Sequence, residues 1–390
     1  MTSKNFLQLV TRHSSLVTAL TLCLLLTASL TLACVSTPVE PLPPNSYADF
    51  ARADLPAEAQ AFGPDNPPWG VGAAAFVWFS SIALMILTYF LAVIPYLFLM
   101  RRTAGEPLNE ALMSDPNVTL ISVASVVPAH VATMAVAWAV VTGFGKRPFW
   151  PTVGWSWPPR FRFWASAGLA ILLLALGMVL TYYVGRDVKT PFDEMLESSA
   201  QALFATTFLA TFTAPLVEET VYRGVLYPAL QRGLTRAIEL LHRATTVPAN
   251  EPAGQSKIYL IFVRALSAVA RFVNKLFLQI LTFFQTLSPR QGGVTWAVII
   301  VASLFTVVHV SQYYNNPAVI VAVGSLGLAL TYVRARTGRL LPCFVIHLVF
   351  NGVQCAALLL DYFHLLPDAQ KAEAALLPHA AAALAALRLF

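Results

Sequence analysis

Glu218, Glu219 and Arg223 stand inside the stretch Pro215-Leu-Val-Glu-Glu-Thr-Val-Tyr-Arg-Gly224, whose surroundings from 201 to 230 are otherwise apolar apart from a scatter of hydroxyls. An ionisable side chain near a bilayer centre costs about 2.5–3.5 kcal/mol on insertion scales, so three of them in one segment point to use or to pairing. Glu219 and Arg223 have the i, i+4 spacing that lets them pair along one helical face. Glu218 lies about 100° further round the helix, which leaves its carboxylate to face a different neighbour. Further along, Phe305-Thr-Val-Val-His309 and His347-Leu-Val-Phe-Asn351 each put two side chains on one helical face. A carboxylate, two imidazoles and an amide are the groups that hydrolysis of a peptide bond in a lipid-sealed cavity would need. They supply a base for water and donors for the developing oxyanion.

The segments that must carry these groups are built for lipid. Of 390 residues 57% are hydrophobic and 11% charged, against about 25% charged in a soluble globular domain. The net charge of +6 comes from Lys and Arg clustered between apolar runs, the pattern of loops that face anionic lipid, and it argues against nucleic acid as a partner. Cys23, Cys34, Cys343 and Cys355 sit in or beside apolar runs with no CxxC pair, so they read as small hydrophobes and not as a disulfide framework.

In chain order, an apolar run at 15–34 follows Lys4 and Arg12. It is longer than a signal h-region and reads as an anchor, although Leu32-Ala33-Cys34 resembles a lipoprotein cleavage box. Residues 35–71, rich in Pro, Ala and acidic side chains, read as an extended linker of low order. Apolar segments near the ~20 residues of a membrane span follow at 76–100, 118–144, 161–184, 201–230, 294–312, 317–333 and 341–362. At 257–288 the polar residues Arg264, Ser267, Arg271, Asn274, Lys275, Gln279 and Thr282 recur every three or four positions, which predicts an amphipathic helix lying in the interface. An alanine-rich helix is expected at 372–389. The basic loops at 145–160, 231–257 and 334–340 are expected to face the cytoplasm, which puts Arg101-Arg102 outside. The expected architecture is thus all-α. It is a polytopic transmembrane helix bundle of about seven or eight spans plus the amphipathic helix. The chain divides into an N-terminal segment 1–71, N-terminal helices 72–160, a core 161–362 with 257–288 inserted, and a C-terminal helix 363–390.

Glu218-Glu219-x-x-x-Arg223, Phe305-x-x-x-His309 and His347-x-x-x-Asn351, in this order on three hydrophobic helices, resemble the three motifs of the CPBP family, the CAAX-protease and bacteriocin-processing intramembrane peptidases. The resemblance covers about residues 160–362. It implies an intramembrane endopeptidase, a hydrolase classed with the metalloendopeptidases, that acts on a peptide or protein substrate cut close to the membrane. It further implies Glu218 as general base with His309 sharing the water, His347 and Asn351 as oxyanion donors, and Glu219 with Arg223 bracing the site. Phe305 would pack the helix that presents His309. Two mechanisms stay open, because Glu218, His309 and His347 are also the ligand types of a catalytic zinc site. The absence of HExxH spacing and the presence of Asn351 beside His347 favour a water without metal over a divalent cofactor such as zinc. The simpler readings are a structural pair for Glu219 and Arg223, interhelical glue for Asn351, and a histidine satisfied by a neighbouring helix for His130. Gly324 and Gly327 are expected to permit close helix packing. The rival to an enzyme is a non-catalytic scaffold or immunity-type protein. A transporter is a third reading, and no inverted repeat supports it. The expected location is a bacterial plasma membrane, with the site toward the cytoplasmic side.

Overall fold

Helix boundaries in this chain are written largely by polar residues followed by proline. A computed structural model describes residues 63–104, 115–184, 188–246 and 288–365. The expected anchor at 15–34, the amphipathic helix at 257–288 apart from Ser288, and the helix at 372–389 lie outside the described residues. Asp115, Thr190, Ser288 and Asn316 each cap a helix whose first position is Pro116, Pro191, Pro289 or Pro317. The cap side chain accepts an otherwise unpaired N–H, and proline sits where its missing N–H costs nothing. Thr190 with Asp193 and Ser288 with Gln291 form reciprocal capping boxes.

The chain is an integral multi-pass membrane protein with seven candidate spans among the described residues. The first is α1 (Val71–Ala104), and the second runs from α2 (Pro116–Ala124) through Ser125 into α3 (Val126–Thr142). After the short α4 (Phe149–Val153) comes α5 (Phe163–Val184), and after α6 (Pro191–Glu197) a long composite span. It comprises α7 (Ala200–Phe208), α8 (Ala214–Glu219) and α9 (Tyr227–Thr246). The bundle closes with α10 (Pro289–Tyr313), α11 (Pro317–Thr337) and α12 (Leu341–Tyr362). No strand occurs among the described residues. The seven spans coincide with the seven apolar runs. The fourth continues to Leu240 instead of ending near 230, because hydropathy falls along the amphipathic α9 while the helix does not.

The composite span is not one regular helix. Two π-helical turns, Leu209–Thr213 and Thr220–Leu226, flank the α-helical turn that carries Glu218 and Glu219. Prolines account for where the freed carbonyls fall. In the first π turn Ala214 N–H donates to Leu209 O, five residues back. The next position is Pro215, which has no N–H to give Ala210 O. In the second turn Tyr227 N–H donates to Tyr222 O, and the next residue, Pro228, leaves Arg223 O in the same state. Both carbonyls are taken up by side chains from other spans. Asn351 Nδ2 donates to Ala210 O at 2.9 Å, and Arg334 Nε donates to Arg223 O at 3.0 Å.

One core cluster joins α1, α3, α4, the composite span and α10 through Val77, Val141, Val153, Val221, Val225 and Phe305. A second joins α5, α11 and α12 through Leu174, Leu330 and Ile346. Gly327 allows the α10–α11 approach, since a Cβ there would lie 2.8 Å from Phe305 Cδ1. At one end of the bundle the α3–α5 connection meets the α11–α12 turn, where Leu340 N–H donates to Gly154 O at 2.8 Å. Gly154, at φ 82°, is confined there between Pro64 and the Gly338 carbonyl. Residues 63–70 pack on this same end. They are the end of the segment expected as a loose linker, and arginines from α9 and α11 hold them in place.

Candidate active site

The site forms where the composite span, α10 and α12 meet. Glu218 sits on α8 with its side chain 23% exposed, and its Oε2 lies 3.9 Å from His309 Nε2 on α10 and 4.0 Å from His347 Nε2 on α12. These separations are too long for direct hydrogen bonds. Glu218 Oε2 is itself buried with no hydrogen-bond partner among the described residues.

Each imidazole is held from behind. His347 Nδ1 donates to Glu219 Oε1 at 2.8 Å, and His309 Nδ1 donates to the Phe305 carbonyl at 2.6 Å. A carbonyl and an ionised carboxylate only accept, so these partners assign the proton of each neutral ring to Nδ1 and leave a lone pair on Nε2 facing Glu218. The bond from His309 to the carbonyl one turn back fixes its ring against its own helix. That from His347 crosses between helices.

Glu219 and Arg223 are completely buried and paired at 3.0 Å. Arg223 uses its remaining donors on α11, with Nη2 to Gly327 O at 2.9 Å and Nε to Thr331 Oγ1 at 3.2 Å. Its guanidinium lies 4.5 Å from the Phe305 ring centroid, in cation–π range, and that ring packs 4.6 Å from the His309 imidazole. Phe305 is therefore a wall between the buried cation and the histidine that faces Glu218. Glu219 accepts from Arg223 and His347 through the same Oε1. The pair braces three spans and orients one ring.

Asn351 lies one turn beyond His347 on α12. One of its amide N–H groups is committed to Ala210 O, which leaves the second as a donor. Five of the six residues named from the sequence are thus joined by direct contacts or close approaches, and Asn351 stands one turn along α12 from His347. His130 on α3 is satisfied by a neighbouring span, with Nδ1 3.1 Å from Thr213 Oγ1. Sequence reading missed Thr331, the Gly327 carbonyl and the role of the prolines. The signal available for the last was two prolines, Pro215 and Pro228, inside one long apolar segment.

The same donor set can be tested against zinc. Tetrahedral coordination at ~2.0–2.1 Å sets ligand atoms about 3.3–3.4 Å apart, closer than the 3.9 and 4.0 Å found here. These separations are wider than the ligand spacing of that ion by about half an ångström. A water at ~2.8 Å from Glu218 Oε2 and from one Nε2 would instead subtend about 90° between them, an ordinary angle for its hydrogen bonds.

Residues 200–353 match the family model described as type II CAAX prenyl endopeptidase Rce1-like, a match that contains all six of these residues. No curated protein and no solved structure matches the chain.

Proposed function

We propose, from the Rce1-like domain that residues 200–353 form, that the chain hydrolyses peptide bonds with a water activated by Glu218 in a membrane cavity. The observation that carries this reading is the unpaired Glu218 Oε2 facing two imidazole nitrogens at 3.9 and 4.0 Å. A water there donates one hydrogen to Glu218 and the other to His309 Nε2. As its oxygen bonds to the scissile carbonyl carbon, its proton passes to Glu218. The same proton then moves to the leaving nitrogen as the C–N bond breaks. His347 can donate to the oxyanion from Nε2 only as imidazolium, and the buried Glu219 carboxylate on Nδ1 orients the ring for it. The free N–H of Asn351 is the second donor.

The substrate is a peptide or protein cut near the membrane surface. Purified protein against a labelled peptide library, comparing wild type with Glu218→Ala, tests the reading. On the metal-free route a chelator leaves activity unchanged, whereas His347→Ala and Asn351→Ala each lower kcat about 10²–10³-fold with affinity little altered. Inactivation by chelation with recovery on added zinc would replace this mechanism by one in which Glu218, His309 and His347 hold the metal.

The end of the bundle bearing Gly154 and Leu340 is assigned to the cytoplasm. Arg147, Arg232, Arg334, Arg336 and Arg339 cluster there, while Asp115, Asp193, Glu194 and Glu197 lie toward the opposite end. An impermeant thiol reagent added to intact bacterial cells is expected to leave a Thr337→Cys variant unlabelled. Ready labelling would invert the orientation.

A further inference from the structure

The catalytic span is held by a segment that lies outside the family match. Gly63–Trp69 forms a strap over the end of the bundle, closed on itself by reciprocal backbone hydrogen bonds between Gly63 and Asn66 at 3.0 and 3.1 Å. Arg334, fully buried on α11, spends its guanidinium in two directions. Nη1 donates to Asp65 Oδ1 at 2.8 Å and Nη2 to the Pro64 carbonyl at 2.6 Å, while Nε donates to the Arg223 carbonyl that Pro228 leaves without a backbone partner. Trp69, 5% exposed, donates from Nε1 to the Val225 carbonyl at 3.0 Å. Arg232 on α9 then holds the strap's backbone, with bonds to the Pro67 carbonyl and, at 2.8 Å, to the Trp69 carbonyl.

Two carbonyls of the π turn Thr220–Leu226 are thus reached by side chains that the strap supplies or aims. A π turn carries one more residue than the regular helix it interrupts, so it is a register that needs such outside partners to persist. Loss of that register would rotate Arg223 relative to Glu218 and Glu219, and with Arg223 would go the bonds that set Glu219 against His347.

We infer that Trp69, and Asp65 acting through Arg334, are positioning residues of the active site: the Gly63–Trp69 strap locks the π-helical register that aligns Arg223 with Glu219 and His347. This rests on the peptidase reading of that site.

The test uses the full-length protein in lipid nanodiscs. Trp69→Phe removes the indole donor while keeping most of the ring. Asp65→Leu removes the acceptor for Arg334, and Asp65→Asn restores one. Amide hydrogen exchange over residues 220–230 is expected to rise roughly five- to thirtyfold in Trp69→Phe and Asp65→Leu, the effect of leaving one buried polar group unpaired. Exchange in α5 and α12 stays at the wild-type rate, and Asp65→Asn resembles wild type throughout. Cleavage follows the same order, with kcat lowered and KM little changed, since the strap reaches the back of the helix and not the substrate. Unchanged exchange over 220–230 in both disruptive variants would overturn the inference, and so would a rise spread evenly over all spans. Exchange is read without substrate, so it decides this inference even if wild type cleaves no peptide, a result that would overturn the peptidase reading instead.

Discussion

Glu218→Ala is expected to abolish cleavage while leaving the bundle folded and inserted. Loss of a positioned general base costs about 10²–10⁴-fold in rate, and in the proposed mechanism that base is also the group that holds the water. The fold tolerates the change because Glu218 Oε2 has no hydrogen-bond partner to orphan and stands beyond bonding distance of both histidines. Thermal stability should therefore move by no more than about 1 kcal/mol. Glu218→Gln keeps the size of the side chain and loses only the basic oxygen, so it should be nearly as inactive. The measurement is kcat/KM on a cleaved peptide for wild type and both variants, beside a melting curve for each. Undiminished cleavage by both would remove the catalytic role from Glu218. A wild type inactive on a broad panel would favour a non-catalytic scaffold.

Arg223→Met should produce the largest loss of stability of any single change at the site. It leaves the Glu219 carboxylate fully buried without its cation, and it strips the Gly327 carbonyl and Thr331 of a donor. Breaking one side of a buried ion pair costs about 3–5 kcal/mol. The double variant Glu219→Leu/Arg223→Met removes both charges and should regain much of that loss, since an apolar pair of similar volume packs in their place. Activity should not return with it, because His347 Nδ1 loses the carboxylate that orients the ring. Unfolding in a mild detergent series, read for both single variants and the double, gives the coupling. Additive losses in the double variant would show that the pair is not a unit. Recovery of activity together with stability would show that Glu219 braces helices and does nothing for His347.

Much of the bundle was legible in the sequence because its signals are local. Crossing a bilayer requires about 20 apolar residues in a row, and such runs can be counted whatever the rest of the chain does. The pairing of Glu219 with Arg223 was legible for the same reason, since a spacing of four residues on a helix is itself a statement of distance. The gathering of Glu218, His309 and His347 was legible only through the resemblance of three motifs, since nothing local relates residues on separate helices. Residues 63–70 were not legible. Their proline-rich, polar composition reads as a loose linker, and what orders them is Arg232 and Arg334, each more than 160 residues away.

The tertiary structure alone decided which donor reaches which acceptor. Pro215 and Pro228 each withhold one backbone N–H from the composite span, and that much is written in the chain, whereas the π turns put the loss at Ala210 O and Arg223 O, five residues back. That Asn351 takes one and Arg334 the other depends on how α12 and α11 cross that span. The tautomer of His347 was decided in the same way, by a carboxylate brought behind the ring from another helix, whereas His309 takes the carbonyl one turn back on its own helix. Hydropathy and helical period act over a few residues and place a side chain on a face of its own helix. A hydrogen bond is made or missed over less than an ångström between helices, and only close packing of the assembled bundle sets distances to that tolerance.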